Sequence, residues 1–148
     1  MAPLRLIDVL KKAEAFHRDL SHYYQSHIAE TKDEQIRVLL DYLSRHEAYL
    51  QHCLEEYEHG ASRGVLEAWF KVSPDLRAFP RIEKFRFGAD LTSEELVELG
   101  LDLDRFLISV YRELIERSIS TPLREALTDL LEMEQREEIK VMRGTLSV

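Results

Sequence analysis

Cysteine is nearly absent from this chain. Cys53 stands alone, which excludes an intrachain disulfide and fits a reducing compartment. Glycine and proline are scarce, at five and four in 148 residues, and neither occurs in 4–59, 101–121 or 123–143. Positive charge is the minority: 20 Lys and Arg face 28 Asp and Glu, for a net charge of −8. That balance leaves no basic footprint for duplex nucleic acid, and an anionic membrane would repel most of the surface. Apolar runs such as Phe106 to Tyr111 fall far short of the ~20 residues a membrane helix needs. The leading MAPLRLIDVLKK carries charges every few residues, so it does not read as a signal peptide, and a soluble, cytoplasmic protein is expected. Nucleophile elbows, phosphate-binding loops and dinucleotide fingerprints are missing as well. What remains is a chain 45% hydrophobic and 32% charged. That is neither a disordered tail nor a membrane protein, and residues 1–148 are enough for one domain with a real core.

The stretches without breakers are rich in Leu, Ala, Glu, Arg and Gln, which favour helix. Four long helices follow. The first spans about Leu4 to Ala29. The second begins at Thr31, where T-K-D-E reads as a capping box, and stops near Gly60. The third starts after Gly100 and runs to about Arg117. The fourth opens at Thr121-Pro122, a cap followed by proline, and fades near Gly144. Between the second and third lies a crossover of about residues 61–100. It holds most of the Gly and Pro, the single Trp69, and a second capping box, T-S-E-E, for a short helix over Thr92–Leu99.

A heptad stripe along each helix is apolar except at a few positions. The interruptions are Glu14 and His17 in the first helix, Glu47 in the second, Asp104 in the third, and Glu134 and Glu137 in the fourth. Isolated buried carboxylates are costly unless paired or bound to a cation, so four helices each contributing one point to a shared centre. The halves also repeat. Glu14-x-Phe16 is matched by Asp104-x-Phe106, and Leu40-x-x-Leu43-x-x-x-Glu47 by Leu127-x-x-Leu130-x-x-x-Glu134.

On these residues the chain resembles the ferritin-like superfamily, and within it the rubrerythrin-like proteins. The resemblance implies an all-α four-helix bundle with a long crossover between helices two and three. It also implies a di-iron site built from a carboxylate on helices one and three and a Glu-x-x-His pair on helices two and four. Glu14 and Asp104 match the first set, and Glu47 and Glu134 match the Glu of each pair. The pattern breaks where Leu50 and Glu137 stand in place of the two histidines, and the Cys pair of a complete rubrerythrin is missing. His17 shares a helical face with Glu14 but lies on the Leu43 side of Glu47. It reads as a core histidine hydrogen-bonded to a carboxylate, or as an added ligand.

All six histidines fall in the first two helices, which excludes a hemerythrin-type centre. His52, Glu56 and His59 read as a solvated helix end, His46 as a weak ligand candidate and Cys53 as a buried inert thiol. The basic, Phe-bearing segment Arg77 to Phe87 reads as aromatic packing with its charged heads toward water or the acidic helices, ahead of binding an anionic partner or single-stranded nucleic acid. Two functions remain. The first is a ferritin-like protein that has lost part of its di-iron site and acts as a binding or interaction protein. The second is a carboxylate-bridged dimetal oxidoreductase or iron-handling protein of rubrerythrin type. Two Fe or Mn ions, or none, are expected accordingly, held by Glu14, Glu47, Asp104, Glu134, Glu137 and His17. Whether the chain is an enzyme stays open, as does its protein partner. A homodimer is expected from long helices that leave an apolar outer face.

Overall fold

A computed structural model describes residues 4–70, 92–118 and 120–146. Helices dominate it: α1 (Leu6–Ile28), α2 (Glu34–Gly60), a single turn α3 (Arg63–Leu66), α4 (Ser93–Glu116) and α5 (Thr121–Leu146). Among the described residues no helix is long and apolar enough to cross a membrane.

Side-chain caps set the starts of three of the four long helices. Asp33 opens α2 by accepting from the Gln35 and Ile36 amides at 2.9 and 3.3 Å. Thr31, expected to cap this helix, instead accepts from the Asp33 amide and shapes the turn before it. An aspartate two residues closer to the apolar run satisfies the first-turn donors better. Thr92 does cap as expected, accepting from the Glu95 amide at 3.1 Å. The helix it starts does not stop at Leu99, because α4 continues through Gly100, and the crossover therefore ends at residue 92. Ser120, one residue before the expected Thr121, accepts from the Leu123 amide at the start of α5.

Gly100 was expected to mark a boundary, but its role is steric. A Cβ there would come within 2.9 Å of the Tyr24 hydroxyl. Mid-helix glycine costs about 1 kcal/mol relative to alanine, so the room it leaves for Tyr24 is its structural use.

Cross-helix contacts give the directions. Lys11 reaches Glu58, His17 reaches Glu47 and Ser21 reaches Ser44, so α1 and α2 run antiparallel. Tyr42 reaches the Lys140 carbonyl and His46 lies 3.9 Å from Glu137, so α2 and α5 are antiparallel too. The short link after α4 makes α4 antiparallel to α5 and hence parallel to α2. A chain leaving α2 must then travel the bundle's length before α4 begins, which is why the crossover is long. Its first residues are pinned. The Leu6 amide donates to the Ala68 carbonyl and the Phe70 amide to the Leu4 carbonyl, at 3.1 and 2.9 Å, with the Arg5 guanidinium over the Trp69 ring. The segment Arg77 to Phe87 lies outside the described residues.

The core between the four long helices is mostly leucine, including Leu10, Leu20, Leu40, Leu50, Leu107 and Leu127. Among the described residues its buried polar groups cluster near the middle, with Ser118 apart at the end of α4.

Candidate metal centre

The stripe positions converge. Glu14, His17, Glu47, Asp104, Glu134 and Glu137 are all buried, each less than 8% exposed. They do not converge equally. His17 takes the middle. It donates from Nδ1 to Glu47 Oε2 at 2.5 Å and from Nε2 to Glu134 Oε1 at 2.8 Å, spanning α2 and α5 from α1. Burial opposes its charge, yet the carboxylates of Glu134 and Glu47 prevail and hold the imidazolium well above the usual histidine range. The expected single hydrogen bond is thus a bridge between two helices.

Asp104 closes the group from α4. Donor atoms of His17, Glu47 and Asp104 all lie within 4.8 Å of one another, the one such group among the described residues. Burial, then the neighbouring Glu47, push the Asp104 carboxyl well above the usual range against the pull of His17. Its Oδ1 is buried with no hydrogen-bond partner.

Two expected members face elsewhere. Glu14 turns toward α2, with Lys11 Nζ at 3.8 Å and the Glu58 carboxyl beside it. Burial and that second acid push it up to about 7. Glu137 accepts from Lys140 at 2.9 Å. His46 lies between Glu47 and Glu137. Burial holds its pKa below the usual value, and its Nε2 has no partner.

Two tyrosines complete the surroundings. Tyr24 and Tyr111 have no exposed surface, and both hydroxyls are unpartnered. Tyr24 feels Glu47 and Asp104, while Tyr111 feels Glu134 and Glu14; burial, reinforced by these acids, keeps both phenols protonated well above their usual range. Both stand on the apolar stripes, and neither hydroxyl hydrogen-bonds to an acid. The sequence places both tyrosines on the stripes as possible partners of the acids, but does not show the room that Gly100 leaves for Tyr24.

The remaining candidates stay peripheral. His52 and Glu56 form an exposed pair at 3.7 Å near the end of α2, as expected. Cys53 is half-buried rather than buried, because its position falls just off the stripe that carries Leu54.

The donor set suits a hard or borderline divalent ion: carboxylate oxygens, one imidazole nitrogen and no thiolate. Unpartnered buried atoms at Asp104, Tyr24, Tyr111 and His46 are the kind of orphan that an ion or water would satisfy.

No protein-family model matches the sequence, and no curated protein matches it either. A solved structure from Thermotoga maritima, described provisionally as a ferritin-like diiron-carboxylate protein, superposes with a TM-score of 0.57. It is 14% identical, over 98% of this chain and 97% of that one. At that identity the likeness speaks for the fold, and the fold is ferritin-like.

Proposed function

We propose that this protein is a ferritin-like metal protein whose buried carboxylate–histidine centre has kept the ability to hold iron or manganese while losing part of the di-iron donor set. The observation that carries the reading is the orphaned polarity beside the acids. If the centre were purely structural, Tyr24, Tyr111 or an arginine would pair with the stripe carboxylates. Instead both phenols and Asp104 Oδ1 are left without partners. Leaving such groups unpaired costs about 1–3 kcal/mol each, which a bound ion with its ligands would offset.

Iron or manganese held there would supply one-electron chemistry toward dioxygen or peroxide. The chain's own residues do the rest. Glu47 and Asp104 bring negative charge against the ion. His17, fixed by Glu134, brings a nitrogen at a defined angle. Leu40, Leu50, Leu107 and Leu127 keep bulk water out. The buried Tyr24 and Tyr111 hydroxyls have no hydrogen-bond partner and remain available as donors.

A second reading is favoured by the His17 bridge itself. An imidazolium between Glu47 and Glu134 neutralises two buried charges without any ion, and Leu50 can ligate nothing. On that reading the chain is a metal-free binding or interaction protein. Metal analysis of protein purified from iron- and manganese-replete medium separates the two. Stoichiometric metal that Glu47→Ala removes supports the centre. Trace metal only, with unchanged folding in chelator, supports the bridge alone.

A further inference from the structure

Resting on the metal reading above, we infer that the centre takes one ion rather than two. His17 is its nitrogen ligand through Nδ1, Glu47 and Asp104 are its carboxylates, and Glu134 stays off the ion as the acceptor that fixes the ring.

Geometry leads to this set. The three ligand residues come from three helices, and their donor atoms already lie within 4.8 Å of one another. The Nδ1–Oε2 separation of 2.5 Å must open to about 3 Å, the spacing of adjacent ligands around an ion with ~2.1 Å bonds. Side-chain rotation alone accommodates half an ångström. The other ring nitrogen is already committed, with Nε2–H donating to Glu134 at 2.8 Å. A metal-bound histidine ordinarily gives its second N–H to a carboxylate, which holds both tautomer and orientation. Glu134 is placed for that task, on the far side of the ring from Glu47.

Among the described residues no second group of three donors lies this close together, and the other unpartnered carboxylate oxygens, Glu14 Oε2 and Glu58 Oε1, face each other beside Lys11. Glu14 is turned to Lys11 and Glu58, Glu137 to Lys140, and Leu50 is apolar. Charge agrees once the incoming ion displaces the Nδ1 proton of His17 and any proton on Asp104 to solvent: two carboxylates and a neutral imidazole then balance one divalent ion. A second would have only Glu134 at hand. An independent sign of a missing ligand comes from unpartnered polar atoms. Asp104 Oδ1 and the Tyr24 hydroxyl, both more than nine-tenths buried, are unpartnered, and Tyr24 lies within electrostatic reach of Glu47 and Asp104.

The test loads chelator-stripped protein with Mn(II), removes the excess, and reads metal per chain together with the nitrogen coupling in pulsed electron paramagnetic resonance. A single manganese coupled to one imidazole nitrogen is expected. Asp104→Asn should abolish binding. Glu134→Gln should keep the ion with affinity about 10–100-fold weaker, as for a residue that acts through a ligand. Circular dichroism checks that each variant is folded, and the wild-type nitrogen signal identifies the imidazole ligand without any variant. Two ions per chain would overturn this inference while leaving the metal function intact. An ion without nitrogen coupling would remove His17 as ligand. Loss of the ion in Glu134→Gln as complete as in Asp104→Asn would overturn the role of Glu134. No binding at all would overturn both the inference and the function it rests on.

Discussion

The two helical hairpins share a pattern and differ at the positions that matter. Three residues after Glu14 comes His17; three after Asp104 comes Leu107. Three after Glu47 comes Leu50; three after Glu134 comes Glu137. Seven after Glu14 is Ser21, and seven after Asp104 is Tyr111. The first hairpin uses its small residues to bring helices together: Ser21 Oγ donates to the Ser44 carbonyl at 2.8 Å, and Ser44 Oγ to the Ser21 carbonyl at 3.2 Å. The second has Tyr111 and Leu131 at those places. So a repeat that looks symmetric in sequence yields a centre with its cation on one side. Carboxylates alone do not make the halves equivalent; the residue one turn away decides which acid faces inward.

Swapping residues between the halves tests this. The largest effect is expected from His17→Leu, which gives the first hairpin the leucine of the second. Glu47 and Glu134 would lose their shared imidazolium while buried, and metal-free protein should lose about 3–5 kcal/mol in urea unfolding. A loss under about 1 kcal/mol would mean the bridge is not what balances the core. Next is Ser44→Leu, which copies Leu131. Overpacking a tight helix contact and breaking its hydrogen bonds should cost about 1–3 kcal/mol, whereas Leu131→Ser should cost less, since Leu131 is only partly buried.

Glu14 supplies a pH test. Its folded carboxyl titrates at about 7 against an ordinary value of 4.5. The folded state therefore binds this proton more tightly than the unfolded chain. The resulting stability is fully present below pH 4.5 and is lost as pH rises through 7. Glu14→Gln should abolish that loss. Relative to wild type it should gain about 1–2 kcal/mol between pH 5 and pH 8, a value reduced from the full shift because the neighbouring Lys11 is solvated. Equal urea midpoint shifts at both pH values would count against a buried, protonated Glu14 beside Glu58.

The smallest effect concerns Gly100, whose counterpart in the first hairpin is Leu10. Gly100→Ala should destabilise the protein that has Tyr24 and stabilise the Tyr24→Phe variant by up to about 1 kcal/mol, as a double-mutant cycle would show. The same sign in both backgrounds would mean that the notch does not serve the hydroxyl.

Much of this was legible in the sequence. The four long helices, the Thr92 cap, the long crossover and the burial of all six stripe residues follow from breakers, caps and heptad spacing, which are local or periodic signals. The rest depends on distances between helices. Gly100 looked like a stop because its use is to leave space for a side chain on α1. Asp33 prevailed over Thr31 by turn geometry too fine for a motif. That His17 is the hub, and that Glu14 faces Glu58, depends on the register between α1 and α2, set by packing along their whole length and not by either spacing alone.

His17 has no exposed surface, and the acids around it have almost none. Traffic to that centre, whether a proton or an ion, must wait for helices to part. Its tempo is then governed by the breathing of the bundle, so exchange at the ring should be slow even where the binding equilibrium is favourable.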